Sequence, residues 1–254
     1  MRPSVLSFAA AAIILVAACG GQSGQLATPA AKKPPGPKVL YQARWDKLTP
    51  SVAFDEVEMI VDFAPGAWTS VHSHGGPGFV MVVTGEITKR ANGSEIVYRT
   101  GQTWHEEAGE VHQAGNTTSS PARAIAVVLL PKGAVITTDV AGAPKPALPA
   151  TITKTALNDP RVASPLDQVR MVFDFAPGAW TPVHTHGGPA LITVLEGEMT
   201  LRQGGVDQVF KAGESWTEAA GQIHQAGNLS AAMARVVSNY LVPSGAQVTT
   251  VVSS

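Results

Sequence analysis

Residues 62–78 read DFAPGAWTSVHSHGGPG, and residues 174–190 read DFAPGAWTPVHTHGGPA. The offset of 112 residues between them carries residues 55–138 onto 167–250 without a gap, with about half of the positions identical. A fixed period of this kind indicates an internal duplication. Six of the seven histidines follow it, namely His72, His74, His112, His184, His186 and His224. Histidines kept while their surroundings diverge predict two metal sites, one in each copy of a domain. The alternative is a set of hydrogen-bonded core histidines.

The composition is typical of a compact, apolar protein with mostly β structure. Of the 254 residues, 44% are hydrophobic and only 15% are charged, and the net charge is −1. This length suits two domains of ordinary size. The largest basic run is Lys32-Lys33, which excludes an electrostatic surface for nucleic acid. Frequent Val, Thr and Ile, with Gly and Pro at short intervals, favour short strands and tight turns.

The first 18 residues have the pattern of a bacterial export signal. Arg2 is the only charge before the apolar run of residues 5–18, and this run is too short for a transmembrane helix. It ends in Val16-Ala17-Ala18-Cys19, which resembles a lipobox, in which the signal is removed before a cysteine that becomes lipid-modified. Cys19 is the only cysteine. We therefore predict a lipid anchor at Cys19 in the bacterial cell envelope, facing the periplasm or exterior; an ordinary cleaved signal is the alternative.

The rest of the chain divides by composition and by the repeat. Residues 19–38 are rich in Gly, Ser and then Pro, which predicts a flexible tether. The first predicted domain spans residues 39–140, a Pro- and Ala-rich linker follows at 141–150, and the second domain spans 151–254. Short strands alternate with turn signals such as Asn92-Gly93, which predicts a hairpin. The pattern predicts an all-β fold of two tandem barrels or two-sheet jelly rolls.

The spacing of glycines and histidines resembles the two motifs of the cupin family. Gly66-x5-His72-x-His74 is similar to the start of the first motif, which ends at Gly85. The second motif is similar to Gly101-x5-Glu107-x-Gly109-x2-His112-x3-Asn116, although Glu107 replaces its usual proline. Repeat two matches at Gly178, His184, His186, Gly197, Gly213, Gly221, His224 and Asn228, with Ala219 in place of the proline. The resemblance to a bicupin covers residues 39–250. It implies two β-barrel domains, each with one divalent metal held by histidines and often a glutamate.

The histidine spacing explains how a metal site would form. Residues i and i+2 of a strand point to the same side, so His72 and His74 face one way. His112 comes from another strand and completes a set of three imidazoles for a first-row metal. We expect a divalent Fe, Mn, Ni, Zn or Cu ion. The seventh histidine, His105, has Thr217 as its counterpart and is expected at the surface or rim.

The chain departs from the family pattern at the first-motif glutamate. The position seven residues before Gly85 and Gly197 holds Gly78 and Ala190, and neither side chain can bind a metal. The acids common to both second motifs are Glu106 and Glu218, as in a similar subgroup of bacterial cupins that lack the first glutamate. We predict that both act at the metal, directly or through one water, as the catalytic acid–base groups. The alternative places them on the barrel rim, with water in the fourth metal position.

Three classes of function fit this pattern. The chain is a metal-dependent enzyme of oxygenase type, a lipoprotein that binds or senses a small ligand without turnover, or a structural envelope protein. Two metal sites argue against the third class. The shortage of acids and bases beyond Glu106 and Glu218 weakens the first. We favour a metal-binding bicupin with oxygenase-type activity on a small-molecule substrate.

Overall fold

The computed structural model describes residues 34–50 and 52–252, which form 20 β-strands. The predicted signal peptide, Cys19 and most of the predicted tether lie outside the described residues. Within the described ranges, no helix has the length and apolar character needed to cross a bilayer. The strands of the first half are β1 (Lys38–Leu48), β2 (Phe54–Phe63), β3 (His72–His74), β4 (Gly78–Thr84), β5 (Glu86–Ala91), β6 (Ser94–Arg99), β7 (Thr103–Glu106), β8 (His112–Gly115), β9 (Ala122–Pro131) and β10 (Thr137–Asp139). Those of the second half are β11 (Ala150–Leu157), β12 (Leu166–Phe175), β13 (His184–His186), β14 (Ala190–Glu196), β15 (Glu198–Gln203), β16 (Val206–Lys211), β17 (Ser215–Glu218), β18 (His224–Gly227), β19 (Ala234–Pro243) and β20 (Thr249–Val251).

The strands form four antiparallel sheets of five strands each, two for each repeat. Repeat one has the strand orders β11-β2-β9-β4-β7 and β10-β3-β8-β5-β6. Repeat two has the corresponding orders β1-β12-β19-β14-β17 and β16-β15-β18-β13-β20. Two packed sheets around one interior are the arrangement of a jelly roll. The predicted all-β class with tandem jelly rolls is therefore confirmed.

The hairpin between β5 and β6 forms at the dipeptide that predicted it. Asn92 has a φ of 52° and Gly93 a φ of 74°, as a two-residue turn with two left-handed residues requires. Gly204 and Gly205 occupy the equivalent turn with φ values of 57° and 78°. The turn therefore keeps its geometry through the duplication although its first residue has changed.

The two repeats exchange their first strands. β1 pairs with β12, with Tyr41 opposite Val172, so it extends a sheet of repeat two. β11 pairs with β2, with Thr153 opposite Ile60, and extends a sheet of repeat one. The strand expected to open the first domain thus belongs to the sheet of the second repeat. The domain boundaries at 39–140 and 151–254 follow the sequence repeat and stay a prediction.

The two sheets that contain β1 and β11 pack against each other through their outer faces. One apolar cluster joins Ile60, Met81 and Ile125 of repeat one to Val172 and Val237 of repeat two. A second cluster joins Phe54, Phe79, Val127 and Leu129 to Leu166 and Leu241. Burial of this apolar surface holds the repeats together. The two barrel interiors lie on the other faces of these sheets and are free to form separate sites.

Candidate metal centres

In each repeat, three histidines meet inside the barrel, and we name these groups centre one and centre two. Centre one consists of His72, His74 and His112, and centre two of His184, His186 and His224. In each group the nearest ring nitrogens lie within 4.8 Å of one another. His72 lies directly opposite His112 across β3 and β8, and alternation along β3 brings His74 to the same side. The structure therefore brings together each predicted set of histidines.

The hydrogen bonds of centre one fix which nitrogen each imidazole turns inward. The Nδ1 atoms of His72, His74 and His112 lie 2.8, 2.8 and 2.9 Å from the backbone oxygens of Ser70, Ile136 and Glu110. A carbonyl oxygen only accepts a hydrogen bond, so Nδ1 carries the proton in each ring. In the neutral form, all three Nε2 atoms then present lone pairs to the centre. This is the tautomer in which histidine binds a metal through Nε2.

Centre two repeats this arrangement. The Nδ1 atoms of His184, His186 and His224 lie 2.8, 3.0 and 2.9 Å from backbone oxygens of residues 182, 248 and 222. The six histidine rings therefore have the same orientation in both repeats.

Both predicted glutamates point into the barrels and not towards the rim. Glu106 is 3% exposed, and its carboxylate oxygens lie 3.2 Å from Nε2 of His112 and 3.5 Å from Nε2 of His74. Glu218 lies 3.1 Å from Nε2 of His224 and 3.0 Å from Nε2 of His186. The geometry thus suits a carboxylate at the metal. The catalytic role of these glutamates stays a prediction.

The glutamates stand directly across from the residues that replace the first-motif acid. Gly78 pairs with Glu106 between β4 and β7, and Ala190 pairs with Glu218 between β14 and β17. An added Cβ at Gly78 would lie only 2.7 Å from Oε2 of Glu106. Small residues at 78 and 190 therefore leave the space that the neighbouring strand's carboxylate fills.

A tryptophan orients each carboxylate. The indole Nε1 of Trp104 donates a hydrogen bond of 2.7 Å to Oε1 of Glu106, and Trp216 donates one of 2.8 Å to Glu218. Both indoles are buried in the barrel core. The alternation along β7 and β17 places each Trp on the face of its Glu, two residues away. These tryptophans therefore both pack the core and fix the carboxylate.

Burial sets the protonation of the centres. It lowers the pKa of His72, His74 and His112, and it lowers the pKa of His184 to about 4. These imidazoles are therefore neutral at pH 7, as metal binding requires. Burial opposes the ionisation of Glu218, but its contacts with His186 and His224 outweigh this and lower its pKa to about 2. Burial also opposes protonation of His224, but Glu218 raises its pKa, so a proton and a metal ion compete for the same space.

Each centre opens into a cavity of about 230 Å³. The walls are mostly apolar, and no lysine or arginine is among the described residues that line either cavity. Residues that directly precede the exchanged strands contribute to the lining: Leu148 and Pro149 line cavity one, and Pro37 lines cavity two. A concave, mostly apolar cavity of this size suits a small molecule.

Cavity two has a feature that sequence reasoning missed. Tyr240 on β19 is 5% exposed, lines the cavity, and has its ring centroid 4.7 Å from that of His186. Burial and the charge of Glu218 raise its pKa, against a smaller opposing effect of Ser238. Its counterpart at the offset of 112 is Val128, so the duplication itself gives no signal for a tyrosine here.

The remaining candidates from the sequence lie outside the centres. His105 is exposed on β7 and lines neither cavity. Trp68 packs on the backbone of Gly115, where an added Cβ would lie 2.0 Å from its ring, and the Arg90 guanidinium stacks on its other face. Asn116 donates hydrogen bonds to the backbone oxygens of Phe63 and Ser120 and so fixes a turn.

Comparison with known proteins identifies the family. The family model described as "Cupin domain" matches residues 59–128 and 171–240, which together exceed half of the chain. No curated protein matches the chain significantly.

Solved structures share the fold at low sequence identity. AerE from Microcystis aeruginosa is 19% identical, with a TM-score of 0.50, covering 82% of this chain and 98% of that one. A variant of oxalate decarboxylase from Bacillus subtilis is 11% identical, with a TM-score of 0.57, covering 85% of this chain and 81% of that one. Oxalate decarboxylase from Lactobacillus farciminis, in a formate complex, is 12% identical, with a TM-score of 0.55, covering 86% of each chain. At these sequence identities, the comparison shows that the proteins share a fold and shows nothing about a shared activity.

Proposed function

We propose that this chain, which belongs to the cupin family, is a bicupin that holds a divalent transition metal in each domain and acts on a small molecule as an oxygenase-type enzyme. The metal ligands are His72, His74 and His112 in centre one, and His184, His186 and His224 in centre two. Glu106 and Glu218 bind the metal directly or through one water. The identity of the metal is open among Fe, Mn, Ni, Zn and Cu, because imidazole and carboxylate ligands suit all of them.

The observation that carries this proposal is the convergence of imidazole and carboxylate lone pairs with no ring proton between them. In centre one, the three Nε2 atoms turn their lone pairs towards the same space, and the carboxylate oxygens of Glu106 lie 3.2 Å from Nε2 of His112 and 3.5 Å from Nε2 of His74. With each Nδ1 proton engaged by a backbone oxygen, no proton of the neutral rings lies between these acceptors. Like partial charges held together in a buried site need a cation between them. A divalent metal meets this need. Three imidazoles and one carboxylate form the same arrangement in centre two.

The residues around the metal have separable tasks in a reaction. A first-row metal bound there would supply Lewis acidity and, if it is redox-active, one-electron chemistry. Glu106 and Glu218 would accept or return a proton at a carboxylate oxygen, while the indole N–H of Trp104 or Trp216 holds that carboxylate in place. Three imidazoles and one carboxylate leave two positions of a six-coordinate ion for ligands. The apolar walls would exclude bulk water.

The second candidate function is binding or sensing without turnover. It is favoured by the contact of each glutamate with two imidazoles, because a carboxylate that binds the metal directly is less free to move protons. Oxygen uptake by the metal-loaded protein on a panel of small phenols and diketones separates the two functions. Uptake above that of the metal-free protein supports the enzyme, and none supports the binding protein.

Elemental analysis tests the metal centres. The full-length protein, prepared with Fe, Mn, Ni, Zn and Cu in turn, is expected to hold up to two ions per chain. His72→Ala and His184→Ala together should remove most of the metal, since two imidazoles leave an ion under-coordinated. His105→Ala is the matched control, because this histidine lies outside both centres. Recovery of fewer than about 0.2 ions per chain under all conditions would contradict the proposal.

We also propose that the protein is anchored in the bacterial cell envelope by a lipid at Cys19, facing the periplasm or exterior. The support is the apolar run of residues 5–18, which ends in Val16-Ala17-Ala18 directly before Cys19. The wild type should partition with membranes through its acyl chains, and Cys19→Ser should be soluble or unprocessed. A wild-type protein that is soluble and begins beyond Cys19 would rule out the anchor.

A further inference from the structure

The two cavities differ on the wall formed by β9 in repeat one and β19 in repeat two. Tyr240 and Ser238 lie two residues apart on β19, and both line cavity two. The equivalent residues of repeat one are Val128 and Ala126, so the same wall of cavity one has no hydroxyl group. The two repeats therefore have the same metal-binding residues but differ in the cavity wall that a bound small molecule would contact.

The Tyr240 side chain is held against centre two. It is 5% exposed, and its ring contacts His186 at a centroid distance of 4.7 Å. In the sheet, Tyr240 of β19 lies opposite Ala190 of β14. Ala190 also lies opposite Glu218 of β17 on its other side. A phenol is protonated at neutral pH and can donate a hydrogen bond. A ligand atom in the cavity beside the metal can therefore meet a fixed O–H donor in centre two.

Charge limits the kind of ligand. A divalent ion with three neutral imidazoles and one carboxylate keeps a single positive charge, and no lysine or arginine is among the described residues lining the cavity. An anion transferred from water into an apolar cavity needs a balancing charge. One negative charge is balanced in this way, and a second would not be.

The remaining wall of cavity two selects for an apolar body. Phe173, Ile192, Met199 and Val236 line it, and the cavity of about 230 Å³ has room for a ring or a short alkyl chain.

We propose that centre two is the ligand-selective centre of this chain and takes a small apolar monoanion, such as a monocarboxylate, whose oxygen accepts a hydrogen bond from the Tyr240 hydroxyl. This inference rests on the metal-binding function proposed above. Centre one, with Val128 in place of the tyrosine, binds the same ligand more weakly. Tyr240 is thus a specificity residue of the second domain, and it distinguishes two centres whose metal ligands are the same.

Titration of the cobalt-loaded, full-length protein with benzoate tests this inference. Calorimetry gives the affinity and stoichiometry, and the visible spectrum of cobalt reports ligand binding at the metal. We expect one tighter benzoate site per chain, which His184→Ala removes and His72→Ala retains. Tyr240→Phe should weaken this site about tenfold, the usual effect of losing a hydrogen bond to a charged group. Two equal sites, or an unchanged affinity in Tyr240→Phe, would overturn the inference.

Repeat one provides the matched control. Tyr98 packs on Trp104 and is not among the residues that line either cavity, and its counterpart in repeat two is already Phe210. Tyr98→Phe makes the same chemical change as Tyr240→Phe and should leave the benzoate affinity unchanged. If it weakens binding equally, the loss in Tyr240→Phe is not specific and the inference fails.

Two ligands that differ by one negative charge test the preference for a monoanion. Monomethyl succinate should bind more tightly than succinate, which carries a second negative charge, and the reverse order would overturn the preference for a monoanion. The failures of the two proposals are distinguishable by cobalt content. A chain that binds no cobalt contradicts the metal function and this inference together. Cobalt in both centres with equal benzoate binding contradicts this inference alone.

Discussion

The two repeats are most alike where each encloses its centre and most different where they face each other. The six histidines, two glutamates and two tryptophans keep the same contacts in both halves. At the contact between the repeats, however, Glu58 of repeat one has Arg170 as its counterpart, and Glu56 has Gln168. The duplication thus preserved the sites and made the interface between its two copies asymmetric.

The asymmetric residues form a buried polar network between the repeats. Glu58 accepts a hydrogen bond of 2.5 Å from the Thr193 hydroxyl and another from the Asn239 amide. Arg170 donates to the backbone oxygens of Phe79 and Ile125 at 3.1 and 2.9 Å. Glu58 and Arg170 are both fully buried. Because each side chain is bonded to the opposite repeat, the network fixes how one repeat docks on the other.

The largest expected effect comes from removing the buried cation. Arg170→Ala leaves the carboxylate of Glu58 buried without its compensating charge, and loss of one partner of a buried ion pair costs about 3–5 kcal/mol. Urea unfolding measures the free energy of unfolding. The control is Arg99→Ala, whose pair with Glu86 is exposed and should change stability by less than about 1 kcal/mol. Equal losses in the two variants would mean that the interface network adds no special stability.

A smaller, pH-dependent effect is expected at Glu56. Burial, and then the charge of Glu58, raise the pKa of Glu56 to about 8. A carboxyl group whose folded pKa is raised contributes stability at low pH that is lost as the pH rises through the folded value. The protein should therefore lose stability between about pH 5 and pH 8, on the order of a few kcal/mol at most.

Glu56→Gln places the residue of repeat two at this position and should reduce that pH dependence. Urea midpoints at pH 5 and pH 8, at the same metal loading, measure the difference. Glu86→Gln is the control, since Glu86 is on the surface and should leave the slope unchanged. A wild-type slope in Glu56→Gln would contradict the raised pKa of Glu56.

The smallest expected effect concerns the residue opposite each glutamate, which is Gly78 in repeat one and Ala190 in repeat two. Gly78→Ala adds a Cβ that would lie 2.7 Å from Oε2 of Glu106, so the flexible carboxylate must shift. Oε2 of Glu106 lies 3.5 Å from His74, whereas Oε2 of Glu218, opposite Ala190, lies 3.0 Å from His186. We expect the metal affinity of centre one to move towards that of centre two, by less than about tenfold. Metal titration of Gly78→Ala, with centre two removed by His184→Ala, measures this, and Ala190→Gly with His72→Ala provides the converse.

The sequence was sufficient for the parts of the structure that depend on local spacing. The His-x-His pairs share a face because strand alternation has a period of two, and Asn92-Gly93 forms its turn because both residues tolerate a positive φ. Local spacing does not determine the direction of Glu106, because this depends on the pairing of β7 with β4, from which it is separated by the β5–β6 hairpin.

Tertiary features without a repeated signal were missed. The sequence pattern of β1 indicates a strand, but it does not say which sheet the strand will extend. Tyr240 has no tyrosine in the other repeat to draw attention to it. The hydrogen bonds of Glu58 to Thr193 and Asn239 of repeat two depend on how the two sheets pack, which the sequence does not indicate.

The exchange of β1 and β11 bears on how such a chain can arise. Two separate copies of a single repeat could cover each other's sheet edges by the same swap, as a symmetric dimer. Such a dimer would carry identical residues at both interface positions, two acids or two bases, buried close together. An acid at 58 with a base at 170 requires two copies with different sequences, such as the two halves of this chain. Two copies on one chain can differ at the interface and hold an acid opposite a base, and they can differ in the same way at one barrel wall, where repeat two has Tyr240 and repeat one has Val128.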